Sequence, residues 1–254
     1  MSSSPPRRGI SQRNAYAVQA AFLKLHAERL TPSEIAAAVG ISAATAHRAL
    51  QAGCELGTFA TDDRGLYWPG ESSAMLSMRW QGRTPDPDAT LAALEQLHST
   101  TLGLACYYAA KGNASTLLHY VTGSTDVSGL NPLALASVGS SLRTGASGRA
   151  ILAHSPLPLR TRVLAEPVPR KAGPGAIRSD AELLASLEEI RRRGYAVGIE
   201  ECILGWASVA APVTEHNTAL GAVLLLVPIT EMPDDPSALA AHTMQTAKAV
   251  STFF

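Results

Sequence analysis

The chain is poor in cysteine, has no long apolar run and carries no excess of charge, and each shortage removes a class of protein. Only three of 254 residues are cysteine, and Cys54, Cys106 and Cys202 stand far apart with no CxxC pair. Neither a disulfide framework nor a zinc site is expected, and a reducing, cytoplasmic setting fits. No run of about 18 apolar residues occurs, so no membrane span is expected. Met1 is followed by Ser, Pro and Arg rather than an apolar stretch, so no secretory signal is expected. The net charge is zero. Most nucleic-acid binders show a basic stripe, so the total lends such a partner no support. It does not exclude one, because residues 1–70 hold seven Lys/Arg against five Asp/Glu, with Arg7, Arg8 and Arg13 gathered in the N-terminal arm.

What is present is apolar material, at 46% enough for packed cores. The length allows one or two domains at about 100–200 residues each. The densest local signal lies at Thr31–Leu50. Thr31 can cap a helix, Pro32 suits its first position and Glu34 completes a capping box. Ile35, Ala38 and Val39 share a face. Gly40 ends the helix, and Ser42 caps a second one whose Ala46, Ala49 and Leu50 turn inward. Before this pair, Ala15, Val18, Ala21, Phe22 and Leu25 predict a helix over about 11–26, behind a mobile arm at 1–10. After it, Thr58–Thr61 and Leu66–Trp68 flank Asp62-Asp63-Arg64-Gly65 as a hairpin. Three helices and a hairpin in seventy residues describe a winged helix-turn-helix, whose second paired helix enters the DNA major groove. Pro69-Gly70-Glu71 breaks the pattern. Ser72 or Ser73 then caps a short helix to Trp80 whose Met75, Leu76, Met78 and Trp80 need cover, which a second copy of the chain would supply.

From Asp88 onward, strands and helices alternate as in an α+β sheet domain, without internal repeats. Leu91, Leu94 and Leu97 mark a helix. Leu102–Ala109 and Ser115–Thr122 read as a hairpin around Lys111-Gly112-Asn113, and Leu133–Val138 as a weaker strand. Thr144–Ala153 reads as a helix, Pro156–Gly175 as loop, and 179–193 as a helix with a capping box at Ser179 and Glu182. Leu183, Leu184, Leu187 and Ile190 face its inner side; Arg191-Arg192-Arg193 occupy its last turn, and Gly194 stops it. Ala207–Val213 and Ala219–Val227 are strands, the second central, and Ser237–Phe254 closes as a helix.

Two strings carry a resemblance. Leu142-Arg143-Thr144-Gly145-Ala146-Ser147-Gly148-Arg149-Ala150 resembles the Ala-Ser-Gly-Lys-Ala segment of the IclR family of bacterial transcriptional regulators. Gly194-Tyr195, Glu201 and Ser208-Val209-Ala210-Ala211-Pro212-Val213 resemble its C-terminal signature. The resemblance implies a winged helix-turn-helix at 1–70, a linker helix at 71–87, and a GAF-like effector-binding and oligomerisation domain with an antiparallel sheet at 88–254. It also implies dimers that often pair into tetramers, and favours a repressor over an activator. Two positions depart from the signature. Gly198 stands where Asp or Ser is usual, and Thr214-Glu215 where an aromatic or His and then Asp or Asn are usual.

Candidate DNA contacts are Ser42, Ala43, Ala44, Thr45, His47 and Arg48 on the recognition helix, Arg64 at the wing tip and Arg13 in the arm. Arg64 has a second reading, an exposed turn residue paired with Asp62 or Asp63. The resemblance places effector contacts at Ala146, Ser147, Gly198, Ser208, Leu225 and Val227, with Leu130 and Leu133 as apolar lining. Of the positions that are polar in relatives binding small oxo-acids, only Ser208 and the backbone at Ala146 and Ser147 stay polar here. A buried carboxylate without partners costs several kcal/mol. The expected effector is therefore larger or more apolar than a keto-acid. A ligandless pocket, or a small-molecule enzyme with an interaction module, stays as an alternative. Glu200-Glu201 and the cysteines have no activating context, so no catalytic residue, metal or cofactor is expected. Arg191-Arg192-Arg193 reads either as an anion site or as a solvated face.

Overall fold

The computed structural model describes residues 7–25, 27–123, 141–170 and 172–254. The chain divides into two compact units, Met1–Gly82 and Arg83–Phe254.

In the first unit, α1 (Arg7–Lys24), α2 (Pro32–Val39) and α3 (Ala43–Glu55) precede a hairpin of β1 (Phe59–Thr61) and β2 (Tyr67–Pro69), and α4 (Glu71–Gln81) follows. The caps explain the paired helices. Thr31 Oγ1 accepts the Glu34 N–H at 3.3 Å while the Glu34 carboxylate accepts the Thr31 N–H at 2.7 Å. Gly40 adopts φ +70° and returns its N–H to Ala36 O, so the chain turns at once into α3. Ser42 Oγ accepts the Thr45 N–H at 3.2 Å. Val18, Ala21, Ile35, Ala46, Leu50, Phe59 and Tyr67 form the core. Gly53 makes room for Phe59, whose ring stands 2.3 Å from where a Cβ would sit. Leu30 exchanges both backbone hydrogen bonds with Tyr67, tying the hairpin to the start of α2.

Three expectations change in this unit. The helix predicted from residue 11 begins at Arg7, so the arm's arginines belong to α1. Residues 1–6 lie outside the described residues. Ala15 is exposed, because the inner stripe runs through Val18, Ala21, Phe22 and Leu25. Ser72 and Ser73 do not cap α4. Gly70 is its cap residue, and the two hydroxyls donate to Leu56 O and Thr58 O, binding α4 to the base of the hairpin.

The second unit is a five-stranded antiparallel sheet in the order β4-β3-β7-β6-β5. Its strands are β3 (Leu104–Lys111), β4 (Ala114–Val121), β5 (Ala196–Ile199), β6 (Trp206–Glu215) and β7 (Thr218–Pro228). One face packs against α6 (Gly145–Ala153), α7 (Leu157–Ala165) and α8 (Asp180–Arg193). The other packs against α5 (Pro87–Thr101) and α9 (Ser237–Val250). Because both faces of the central strand β7 are covered, its sequence is almost continuously apolar rather than alternating.

Here too the structure differs from expectation at definite places. Leu102 is not in a strand. It takes φ 59° as the exposed cap of α5, and β3 starts at Leu104. The proline-rich stretch read as loop contains α7. Pro156 caps it and Pro158 falls in its first turn, where a missing N–H costs no helical hydrogen bond. Leu184 is exposed. Residues 83–87 fold with this unit rather than as linker: Arg83 pairs with Glu215, Pro85 is buried, and the Asp86 N–H donates to Phe253 O. The strand expected at 133–138 lies outside the described residues. Among the described residues no helix is long and apolar enough to cross a membrane.

Candidate functional site

The first unit presents α3. Burial of Ala46 and Leu50 turns Ala43, Ala44, His47 and Arg48 outward together. Ser42 and Thr45 are committed to the cap, their hydroxyls 2.8 Å apart, and Thr45 is half-buried. Of the six expected contacts on this helix, four therefore keep free side chains. Gln51, one turn beyond His47, is exposed on the same face and was overlooked; its spacing of four from His47 was the available signal. His47 meets the Tyr67 ring edge-on at 6.3 Å between centroids, which links α3 to the hairpin. A half-open groove of about 780 Å³ separates α1 from α3, with Asn14, Gln19, Thr45 and Arg48 on its polar rim. Arg13 is exposed on α1.

Between β1 and β2, Asp62 Oδ1 accepts the backbone N–H groups of Arg64 and Leu66, closing the turn. Asp62 also pairs with Arg29 at 3.0 Å, whose guanidinium lies 4.4 Å over the Trp68 ring. These bonds hold the Asp62 carboxyl below its ordinary range, the Leu66 N–H being the strongest cause. Asp62 is thus occupied by Arg29, and Arg64 remains exposed at the tip.

In the second unit Ala146, Ser147 and Ser208 come together around a narrow cavity of about 30 Å³, closed by Tyr108, Ile203, Trp206, Leu224 and Leu226. The N-terminal turn of α6 forms one wall. Thr144 caps it without a side-chain hydrogen bond, so this turn offers backbone N–H groups and the positive end of a helix dipole. Leu225 and Val227, expected in this lining, are corrected. They pack into the opposite core with Leu94 and Val250. Side chains alternate along a strand, so a one-residue offset in β7 exchanges the two faces. Gly198 stands beside the lining, paired in register with Ser208, whose hydroxyl donates to Gly198 O at 3.3 Å. Leu130 and Leu133 lie outside the described residues.

At the wall of the cavity lies an ion pair that sequence reasoning missed. Glu201 and Arg149 are both buried and joined through Arg149 Nη2 to Glu201 Oε1 and, at 3.2 Å, Arg149 Nε to Oε2. Glu201 Oε2 also accepts the Gly145 N–H at 2.9 Å. Two further guanidinium hydrogens go to Ser186 Oγ and Val197 O. The pair therefore fastens α6 to α8, β5 and the loop before β6, with four of the five Arg149 N–H groups engaged inside the protein. Glu200 accepts the Gly205 N–H at 2.7 Å and takes φ 51°, shaping that loop.

The site holds no prepared nucleophile. Burial pushes the Cys106 thiol up to about 12, and burial with the Glu201 charge does the same for Cys202. Thiols held that high stay protonated and inert at neutral pH. Among the described residues no three His, Cys, Asp or Glu side chains gather as a metal site.

Comparison with known proteins follows this geometry. A family model described as "Bacterial transcriptional regulator IclR C-terminal" matches residues 88–252. The Thermotoga maritima IclR structure superposes with a TM-score of 0.60 at 21% identity, covering 96% of this chain and 98% of that one. An IclR homologue from Microbacterium hydrocarbonoxydans, complexed with 4-hydroxybenzoate, gives 0.56 at 19%, covering 95% and 98%. The Agobacterium tumefaciens repressor BlcR gives 0.55 at 16%, covering 96% of each. No curated protein sequence matches the chain. The family model spans well over half of the residues and contains the whole sheet and the cavity, and on that ground the chain belongs to the IclR family of bacterial transcriptional regulators.

Proposed function

We propose that the chain is a DNA-binding regulator that responds to an uncharged, largely apolar small molecule. Its first unit acts as a winged helix-turn-helix. Ala43 and Ala44 touch thymine methyls, His47 and Gln51 bond to base edges, Arg48 and Arg13 grip phosphate, and Arg64 reaches along the backbone from the wing. The observation that carries this reading is the doubly capped α2–α3 pair, which buries Ala46 and Leu50 and leaves one face of α3 free. A homodimer, alone or paired into a tetramer, would place two such helices on a pseudo-palindromic operator, about 34–36 Å apart or a multiple of that. Repression is the expected sense.

The effector class follows from the cavity. Arg149 is neutralised by Glu201, and Glu201 itself, which lines the cavity, repels an incoming carboxylate. Helix N–H groups and the Ser147 and Ser208 hydroxyls suit one neutral oxygen, while Tyr108, Trp206 and the leucines suit an apolar body. The bound 4-hydroxybenzoate of the Microbacterium protein carries a carboxylate, and this cavity favours its neutral analogues. Its narrowness also favours a second reading, a pocket without ligand and a regulator that binds DNA constitutively.

The test is a mobility shift with the chain's own upstream DNA across a salt series. Specific binding that weakens steeply with salt, and is lost in Arg48→Ala, supports the reading. No specific shift at any salt overturns it. A thermal-shift screen of neutral aromatic compounds separates the two pocket readings, since saturation at about a hundred times Kd adds about 2.7 kcal/mol.

A further inference from the structure

The arginine run at the end of α8 divides into three different fates. Arg192 pairs with Glu189, and Arg193 donates to Tyr195 O and lies over the Tyr195 ring. Arg191 alone turns back to α6, its Nε donating to Ala153 O at 2.6 Å. One cation is enough to serve the carbonyl end of a nine-residue helix. Two more groups are nevertheless gathered there. His154 caps α6, its Nδ1 3.3 Å from Ala150 O. Arg160, on the first turns of α7, has a buried Nε with no hydrogen-bond partner. Burial first, then the charge of Arg191, opposes protonation of both His154 and Arg160.

No carboxylate among the described residues forms an ion pair with this cluster. Among the described residues neither Arg160 nor Arg191 has an acidic group within 4.0 Å. Glu189 is engaged with Arg192, Asp180 with Arg143 and Glu166 with Asn113, while Glu182 and Glu188 on α8 make no ion pair with either arginine. Two guanidinium groups without an ion pair among the described residues, one with an orphaned buried N–H, suit an oxyanion, because the planar fork matches phosphate and carboxylate oxygens.

We propose that Arg160 and Arg191, where α6 ends and α7 begins, form a binding site for a small multivalent oxyanion, either a phosphoryl compound or a polycarboxylate. This site is separate from the effector cavity, which lies at the other end of α6, roughly 13 Å away at about 1.5 Å per residue. It gives the sheet domain a second ligand input of opposite chemistry to the first.

The experiment is calorimetric titration of the full chain with pyrophosphate and, separately, with citrate. It is repeated on Arg160→Gln, Arg191→Gln and Arg48→Ala, the last controlling for the DNA-facing surface. One of the two oxyanions should bind and raise Tm, with affinity about tenfold or more weaker in each of the first two variants and unchanged in the third. Arg160→Gln removes a side chain whose Nε bonds to nothing, so its loss of binding is distinguishable from unfolding by an unchanged Tm without ligand. The proposal is overturned if neither oxyanion binds, if binding survives in both variants, or if only Arg48→Ala loses it.

Discussion

At Glu201 a carboxylate gives both its oxygens to Arg149 and to the Gly145 N–H within a buried site. Such a pair is costly to break and cheap to replace. Removing either partner leaves an uncompensated charge, so Glu201→Ala and Arg149→Ala should each lower stability by about 3–5 kcal/mol. The apolar double substitution Arg149→Met/Glu201→Leu should cost less than either. Urea unfolding followed by far-UV circular dichroism measures all three, and a double variant worse than both singles would sink the account. The same pair explains Gly198. A Cβ there would stand 2.9 Å from Ser208 Oγ and 3.2 Å from Glu201 Oε1. Of the two residues that the resemblance leads one to expect here, Gly198→Asp should therefore lower Tm more than Gly198→Ser, since it adds a second carboxylate beside the first.

At the scale of elements, what was legible in the sequence is what neighbouring residues decide. Thr31, Glu34, Gly40 and Ser42 announce α2 and α3 because each bonds within three or four positions of itself. Thr31→Ala should cost the first unit about 1 kcal/mol, read as a shift in its urea midpoint. Long-range facts were not legible in that way. Leu224 and Leu225 are alike to any local rule, and only pairing with β3 and β6 decides which one meets the cavity. The prolines of α7 look like loop until the helix start is known. The Arg149–Glu201 bond spans 52 positions, with no local trace at either end. The C-terminal end of α6 carries a pH signature of its own. Burial and Arg191 hold His154 below its ordinary value of 6.5. As pH falls through that value the unfolded chain takes up a proton before the native one does, so stability is lost from there down to the native pKa. His154→Gln should flatten the dependence of the urea midpoint between about pH 7 and 5. An unchanged slope would mean that His154 titrates alike in both states.

For the whole molecule the open question is how α4 is covered. Ser72 and Ser73 hold its first turn to the hairpin base, yet Met75, Leu76, Met78 and Trp80 are all about half exposed or more. Four large apolar side chains on eleven residues form a patch that a soluble protein seldom leaves to water. A second α4 is the economical cover, because a two-fold interface presents the same patch from both sides. It also meets the needs of DNA binding. In the proposed mode a single α3 would offer one arginine, one histidine and one glutamine to the groove, too little for a specific site, whereas two copies would double the contacts and fix their spacing. Leu76→Asp/Trp80→Asp should then convert a dimer or larger assembly into a monomer in sedimentation velocity, with the far-UV circular dichroism unchanged. The same variant should lose specific DNA binding while retaining weak, salt-sensitive association through Arg48 and Arg13. A wild-type chain that sediments as a monomer at micromolar concentration would refute this role for α4. By linkage, an effector that changes the affinity of the dimer for DNA must have its own affinity changed by the same factor when DNA is bound, so titrating effector with and without operator tests the coupling from either side.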